Sequence, residues 1–472
     1  SNYPVFYMVL PGKMISRKRS HSAAPARRRS PRLIALAMLD RWREIELDWD
    51  EQLDSCSQAD RALARQLVSG TLRMRGRIDY YLGFFLHRKL TSLPESVLNI
   101  LRMALFQLKF CDRIPDYAIL NESVELAKGV CGGNYTGLVN GVLRSLVRGC
   151  DKVSLPGAED DPVGWLAVNF SYPEWMVGRY LERFGFGFTR DLLQASNTLA
   201  PLVLRERGVR AKADRQAERL KDILEKEGLT LKYGQFAPEA LIVETDRGGL
   251  PRVSLLPGYS EGLFYVQDEA AMLVSRLAAP EKHGLILDSC AAPGGKTTHL
   301  ADLAGREARI IACDLNRKRL EKLEANLDRL GLDNVTLIAA DARRPAFKAV
   351  DLVLCDVPCT GTGVLRRKPE LRWRINEKDL AGLTGLQREI LSACAVAVRP
   401  GGVLVYSTCS LEHEENWGVV SDFLKEREDF CLERADSFIH KELVSSEGCL
   451  ASFPNVHRID GAFAARLKKK CR

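Results

Sequence analysis

Between residues 33 and 150 the apolar positions recur three and four apart. PRLIALAMLDRW, DRALARQLVSGTLRMRGRIDYYLGFFL and LPESVLNILRMALFQLKF all show it, the pattern of helices that bury one face. IPDYAILNESVELAKGV places a turn before a helix, and Gly132 and Gly133 stop that helix before another begins in GLVNGVLRSLVRG. This stretch predicts an all-helical domain. The acidic, Pro-bearing SLPGAEDDP reads as a linker. A helix in YPEWMVGRYLERFG and alternating runs in PLVLRERGV and EALIVETD, around AERLKDILEKEG, then predict a small α+β module completing residues 151–260. From 261 to 472 the pattern changes again: LILDSC, RIIACD, VTLIAAD, VDLVLCDVP and GVLVYSTCS are continuous apolar runs, interleaved with amphipathic helices. Such alternation predicts an α/β domain with a parallel sheet covered on both faces. Ligands bind outside the carboxyl ends of such strands. Residues 288–295, Asp314, Asp341, residues 356–361 and residues 408–410 fall there.

One of these strand ends carries CAAPGGKTT, Cys290 to Thr298. It ends like a Walker loop but has Cys290 where the first glycine belongs, and it is not G-x-G-x-x-G either. A ligand needing close backbone approach without phosphates to cradle accounts for Gly294 and Gly295. Asp314, at the end of the next strand, is placed to accept hydrogen bonds from ribose hydroxyls, or to cap the helix that follows. Asp341 ends the third strand, within reach of an adenine edge. These features suit S-adenosylmethionine as well as they suit NAD. Lys296 either caps its helix or enters the pocket.

The cysteines decide between them. DVPCTGTG holds Asp356 and Cys359, and YSTCS holds Cys409; each cysteine follows an apolar strand in a polar, turn-forming segment. Pyrimidines are alkylated at carbon 5 only after a nucleophile adds to carbon 6, and a thiolate is suited to that. Asp356 is placed to stabilise the charged adduct by hydrogen bonding to the ring nitrogen. Cys313, Cys355 and Cys394 lie in apolar interiors and read as buried small hydrophobes. Arg366, Arg367, Lys368, Arg372 and Arg374 follow the Cys359 loop and enclose Trp373; an RNA-backbone contact is favoured over a solvated face.

CAAPGGKTT, DVPCTGTG with RRKPELRW, YSTCSLEHEEN and the terminal DGAFAARL resemble the RNA 5-methylcytosine methyltransferases of the NOL1/NOP2/Sun type. RIPDYAILNESVELAK and GLVNGVLRSLVR are similar to a NusB-like RNA-binding domain. The resemblance covers about 33–470 and is weaker between about Ser154 and Ser260. There the chain has Leu204-Arg205-Glu206 near the point where the family carries Arg-Val-Asn. The resemblance implies a NusB-like all-α domain, a small α+β module and a Rossmann-like class I methyltransferase domain that uses S-adenosylmethionine. It implies that Cys290, Ala291, Ala292, Pro293, Gly294, Gly295 and Lys296 line the cofactor pocket, with Asp314 at the ribose, Asp341 near the adenine and Asp356 near the methionine end. Cys409 would be the nucleophile, Cys359 would assist product release, and Lys296 would order the site beside Asp356. Small-subunit ribosomal RNA would be the substrate, with the target base turned out of its stack. A P-loop NTPase lacks its first glycine here, and a pure RNA-binding or antitermination-type factor leaves both cysteine motifs without a purpose.

Composition narrows the remainder. Of the 472 residues 46% are hydrophobic and 28% charged, as in a soluble globular protein, and no apolar run is long enough to span a membrane. The opening SNYPVFYMVLPGKM lacks the features of a signal peptide, and Met14 is a possible start. Thirteen scattered cysteines, an odd number often inside apolar runs, point to a reducing cytoplasm, and no Cys/His set has metal-ligand spacing. The net charge of +8 lies entirely in residues 1–32, which read as a basic, disordered tail able to add phosphate affinity. A monomer is expected.

Overall fold

The computed structural model describes residues 30–43, 53, 56–208, 220–244, 252–345 and 347–471. The expected basic tail lies outside the described residues except for its last three, where a helix begins at Pro31. The described chain forms two compact units. One runs to Thr198 and adds Leu365–Ile375; the other holds Leu199–Val364 and the chain from Asn376.

The first unit is helical: α1 (Pro31–Arg41), α2 (Gln58–Arg73), α3 (Arg75–Phe85), α4 (Glu95–Phe110), α5 (Asp116–Cys131), α6 (Thr136–Gly149), α7 (Pro162–Phe170) and α8 (Glu174–Asn197). Ser57 caps α2 by accepting from the Asp60 N–H, and left-handed Gly132 ends α5. Helix α4 is buried along most of its length. Its polar positions are paired inside: Arg102 forks onto Asp79 at 2.7 and 2.8 Å, and Asn99 donates to Asp40 at 2.9 Å. The unit extends beyond the expected boundary at 150, because α7 and α8 pack with it. Helix α8 is broken at Gly185, whose φ of 75° is left-handed.

The single turn Leu371–Arg374 belongs to this helical unit, which corrects the expected RNA contact. Arg372 is fully buried. It donates to Asn197 Oδ1 at 2.7 Å and to the carbonyls of Arg73, Ser171 and Ser196 at 3.1–3.3 Å, and lies 4.0 Å over the Tyr172 ring. Trp373 Nε1 donates to the Leu72 carbonyl at 2.7 Å, and Arg374 to that of Trp42 at 2.7 Å. Arg366 is buried as well, and its carbonyl accepts from Arg73. Of the five cations Lys368 alone is exposed and Arg367 is part-buried. Long cationic side chains here satisfy buried carbonyls instead of reaching solvent.

The second unit begins with an antiparallel sheet of order β2-β3-β1-β4: β1 (Leu202–Glu206), β2 (Thr230–Tyr233), β3 (Ala240–Glu244) and β4 (Phe264–Val266), with α9 (Leu220–Lys226). Helix α10 (Glu269–Ala278) leads into an eight-stranded sheet. It comprises β5 (Leu285–Asp288), β6 (Arg309–Asp314), β7 (Val335–Ala339), β8 (Val350–Asp356), β9 (Val398–Thr408), β10 (Phe430–Glu433), β11 (Leu450–Ser452) and β12 (Ala462–Lys469). Strands β9-β8-β5-β6-β7 are parallel, while β12 runs antiparallel to β9, β10 and β11, so the sheet is mixed. Its helices are α11 (Gly295–Ala304), α12 (Arg317–Leu330), α13 (Glu377–Ala397) and α14 (Trp417–Glu426).

Successive strand residues serve opposite faces, as the pleat requires. Ile286, Leu352 and Val403 pack with α10 and α11; Leu287, Val353 and Leu404 pack with α13 and α14. The chain winds outward from β5 through β7, then returns to β8 on the other side of β5. This reversal opens a crevice at the carboxyl ends of β5 and β8.

Candidate active site

The loop after β5 hands its hydrogen bonds from one neighbouring strand to the other. Ser289 N–H donates to the Leu354 carbonyl of β8 at 2.9 Å, and Ala291 N–H to that of Cys313 in β6 at 2.8 Å. Each carbonyl that follows is taken by a side chain: that of Ala292 by Arg319, that of Pro293 by Tyr265 at 3.3 Å and that of Gly295 by Arg205 at 2.7 Å. Gly294 adopts φ 107°, and a Cβ there would sit 2.2 Å from Leu323 Cδ1, so the turn requires glycine. Gly295, by contrast, has ordinary room for a Cβ.

Asp314 is buried, with Oδ2 accepting from Ala292 N–H at 3.1 Å and Oδ1 from Asn316 N–H at 2.9 Å. The cap of α12 is Asn316, whose side chain accepts from Arg319 N–H; the carboxylate of Asp314 instead braces the loop. Lys296 Nζ donates to Asp356 Oδ2 at 2.7 Å, and Ser407 Oγ to Asp356 Oδ1 at 2.8 Å. Burial pulls the Lys296 ammonium down, but the Asp356 carboxylate more than offsets this and holds it above its ordinary value. Lys296 thus enters the crevice as a cation rather than capping α11. Under the loop Asp288 accepts from Thr297 Oγ1 at 2.7 Å.

Cys359 and Cys409 lie on the loops after β8 and β9, half-buried, with their sulfurs 3.3 Å apart. Contact with the Cys409 sulfur and then burial push the Cys359 thiol well above its ordinary value. The loops interlock: Gly363 N–H donates to the Cys409 carbonyl at 2.9 Å and Gly461 N–H to that of Gly363 at 2.9 Å. A Cβ on Gly363 would meet the Gly461 carbonyl oxygen at 2.2 Å, which is why DGAFAARL touches the site although it lies far off in sequence.

Other expected residues stand apart. Asp341 follows β7, but its carboxylate is forked by Arg343 at 2.7–3.1 Å. The Arg343 hydrogen bond lowers its pKa, and none of its hydrogen bonds reaches the rest of the group. Burial pushes the Cys290 thiol well up and that of Cys313 to about 12. Cys313, Cys355 and Cys394 are buried. Sequence reasoning placed Asp288 at a strand end without giving it a role, and missed Thr297, Ser407, Gln387 and Glu415. Glu415 stands inside YSTCSLEHEEN among two other glutamates; Glu412 and Glu415 are buried and Glu414 is exposed, and nothing in the chain marks that division.

The donor set suits S-adenosylmethionine. Asp356 pairs with the Lys296 ammonium at 2.7 Å and Asp314 lies 3.8 Å from the Arg319 guanidinium, so among the described residues each of these cations is matched by a carboxylate, with no surplus of positive charge to meet phosphates. That balance favours hydroxyls and a sulfonium charge over a nucleotide phosphate.

The family model "16S rRNA methyltransferase RsmB/F" matches residues 275–468, and that of the NusB family matches residues 29–148. A "Probable ribosomal RNA small subunit methyltransferase B" of Bacillus subtilis (strain 168) is 34% identical over 424 residues, 88% of this chain and 92% of its own. The ribosomal RNA small subunit methyltransferase B of Salmonella paratyphi B is 33% identical over 415 residues, 87% of this chain and 91% of its own. The crystal structure of PH0851 superposes with a TM-score of 0.79 at 25% identity, over 92% of this chain and 97% of that one. The structure of NSun6 from Pyrococcus horikoshii with SFG has a TM-score of 0.55 at 26% identity, over 63% of this chain and 98% of that one. An all-α NusB domain followed by a methyltransferase domain on a mixed Rossmann-like sheet, and relatedness across most of the length, lead to one conclusion: the chain belongs to the ribosomal RNA small subunit methyltransferase B family, enzymes that use S-adenosylmethionine.

Proposed function

We propose that the chain methylates carbon 5 of a cytosine in small-subunit ribosomal RNA through a covalent adduct, with Cys409 as nucleophile and Cys359 assisting release. The observation that carries this reading is the 3.3 Å contact between the two sulfurs on adjacent strand ends, beside the Lys296–Asp356 pair. Contact with Cys409 and burial push the Cys359 thiol up, so in this reading Cys359 serves as the partner that keeps its proton and Cys409 as the nucleophile. The Cys409 thiolate adds to carbon 6 of the base, and the electron pair displaced toward carbon 5 makes that carbon nucleophilic. Asp356, fixed as a carboxylate by Lys296 and Ser407, accepts from the cytosine amino group on the ring-nitrogen side, and the Lys296 ammonium beside it offsets the charge that develops on the ring. Bound S-adenosylmethionine supplies the methyl group. A base then takes the carbon-5 proton, the carbon 5–carbon 6 double bond re-forms, the sulfur–carbon 6 bond breaks, and Cys359 gives its own proton to the departing Cys409 sulfur, the proton passing back across the 3.3 Å contact before the next turnover. Asp314 and the 290–296 loop hold the cofactor, with Asp341 near the adenine once Arg343 yields.

The test is transfer of labelled methyl to protein-free small-subunit ribosomal RNA, with denaturing gels for a protein–RNA adduct. Cys409→Ala should abolish methylation and adduct; Cys359→Ala should lose turnover by about a hundredfold or more while accumulating adduct. Methylation by Cys409→Ala would overturn the nucleophile assignment.

A further inference from the structure

Glu415 is wholly buried, and both carboxylate oxygens are engaged by uncharged donors. Oε1 accepts from Thr360 N–H at 2.9 Å and from Gln387 Nε2 at 2.9 Å. Oε2 accepts from the hydroxyls of Thr360 and Ser410. Thr360 directly follows Cys359, and Ser410 directly follows Cys409. The Glu415 carbonyl accepts from Tyr406 at 2.5 Å, and its neighbour Asn416 accepts from Thr408 Oγ1 at 2.6 Å and donates to the Ser410 carbonyl at 2.9 Å. Both cysteine loops therefore converge on one side chain.

We propose that Glu415 is a positioning residue of the two-cysteine centre, holding the Cys359 and Cys409 loops at one spacing and keeping a negative charge beside Cys359. Burying a carboxylate is unfavourable compared with leaving it in water, but here four donors converge on its two oxygens, a set that an amide, accepting at one end only, matches less well. The charge adds something an amide lacks: it is among the causes that push the Cys359 thiol up, after contact with Cys409 and burial. Glu415 thereby helps keep Cys359 protonated for its part in release. The proposal rests on the two-cysteine reading.

The test uses the full chain and Glu415→Gln, which keeps the size of the side chain and removes the charge. Alkylation by iodoacetamide at pH 8.5 is followed at each cysteine by peptide mass spectrometry, beside methyl transfer and adduct on denaturing gels. The expected result is about tenfold faster alkylation of Cys359 and adduct accumulation of the kind expected for Cys359→Ala, with S-adenosylmethionine affinity in calorimetry within twofold of native. A merely structural role would change both cysteines alike and lower adduct and turnover together, which would overturn the proposal, as would alkylation at the native rate. If Glu415→Gln does not fold, Glu415→Asp decides: the shorter carboxylate cannot bridge Thr360 and Ser410, so slower adduct release is expected, and native turnover would overturn the proposal. Cys409→Ala in the same assay separates the two failures. If it still forms adduct, the two-cysteine reading falls; if it is inactive and Glu415→Gln behaves as native, only the role of Glu415 falls.

Discussion

Asp288 lies beneath the cofactor loop with its carboxyl pushed up to about 7 from an ordinary 3.8, because burial outweighs the Thr297 hydrogen bond and Asp356 adds like charge. The folded form therefore holds a proton that the unfolded form releases. The stability from this group is fully present below 3.8 and is lost as pH rises through about 7. His299, buried beside Glu239, has the opposite sign: burial lowers it to about 4 from 6.5, so its contribution is present above 6.5 and lost as pH falls through about 4. Each is worth at most about 3–4 kcal/mol, and between pH 4 and 6.5 they oppose one another. Asp288→Asn should be more stable than the native chain at pH 8 and lose stability more steeply toward pH 4.5, because only His299 then titrates. Urea unfolding at the two pH values checks this, and parallel curves for the two proteins would count against it. Neither group could be assigned from the chain: an Asp ending an apolar strand was legible, its protonation was not, because that depends on what covers it. The buried Cys313, Cys355 and Cys394 were legible, since their neighbours in sequence are also their strand or helix.

At the scale of elements, strand β1 reaches into the loop after β5. Arg205, buried, donates to the Gly295 carbonyl at 2.7 Å, to Thr298 Oγ1 at 3.0 Å and to Asp302 Oδ2 at 3.1 Å, and also bonds Gln267. Arg207 forks onto the same Asp302 at 2.7–3.0 Å. The small sheet is thus part of the brace of α11, not a separate appendage. Arg205→Lys keeps charge but gives up the planar fork, and losing one or two charge-assisted bonds is worth about 1.5–3 kcal/mol each. Calorimetry should show S-adenosylmethionine binding weakened about tenfold or more; native affinity would remove β1 from the cofactor site. Strands and helices of the large sheet were readable because period and apolar runs are local signals. The reach of Arg205 was not, because its partners lie about ninety residues onward and leave no periodic trace.

For the whole molecule, the division into units does not follow the order of the chain. The backbone leaves the methyltransferase unit at Val364, joins the helical unit through Leu365–Ile375, and returns at Asn376. A basic segment such as RRKPELRW looks like surface in the chain; its Arg372 is inside, where the carbonyls of Arg73, Ser171 and Ser196 accept from it. Trypsin should accordingly spare Arg366, Arg372 and Arg374 in the full-length chain. A fragment beginning at Leu199 should be cut there rapidly, as gel bands and mass spectrometry would show; equal resistance would mean that the segment holds its own shape.

That excursion changes what gene fusion and fragment exchange can do with this chain. Helices α1 to α8 cannot be traded for another module as a cassette, since the loop that leads away from Cys359 ends in side chains shaped to their carbonyls. Any exchange must carry both halves of that lock together, so the helical unit and the Leu365–Ile375 segment are expected to be inherited as a single piece.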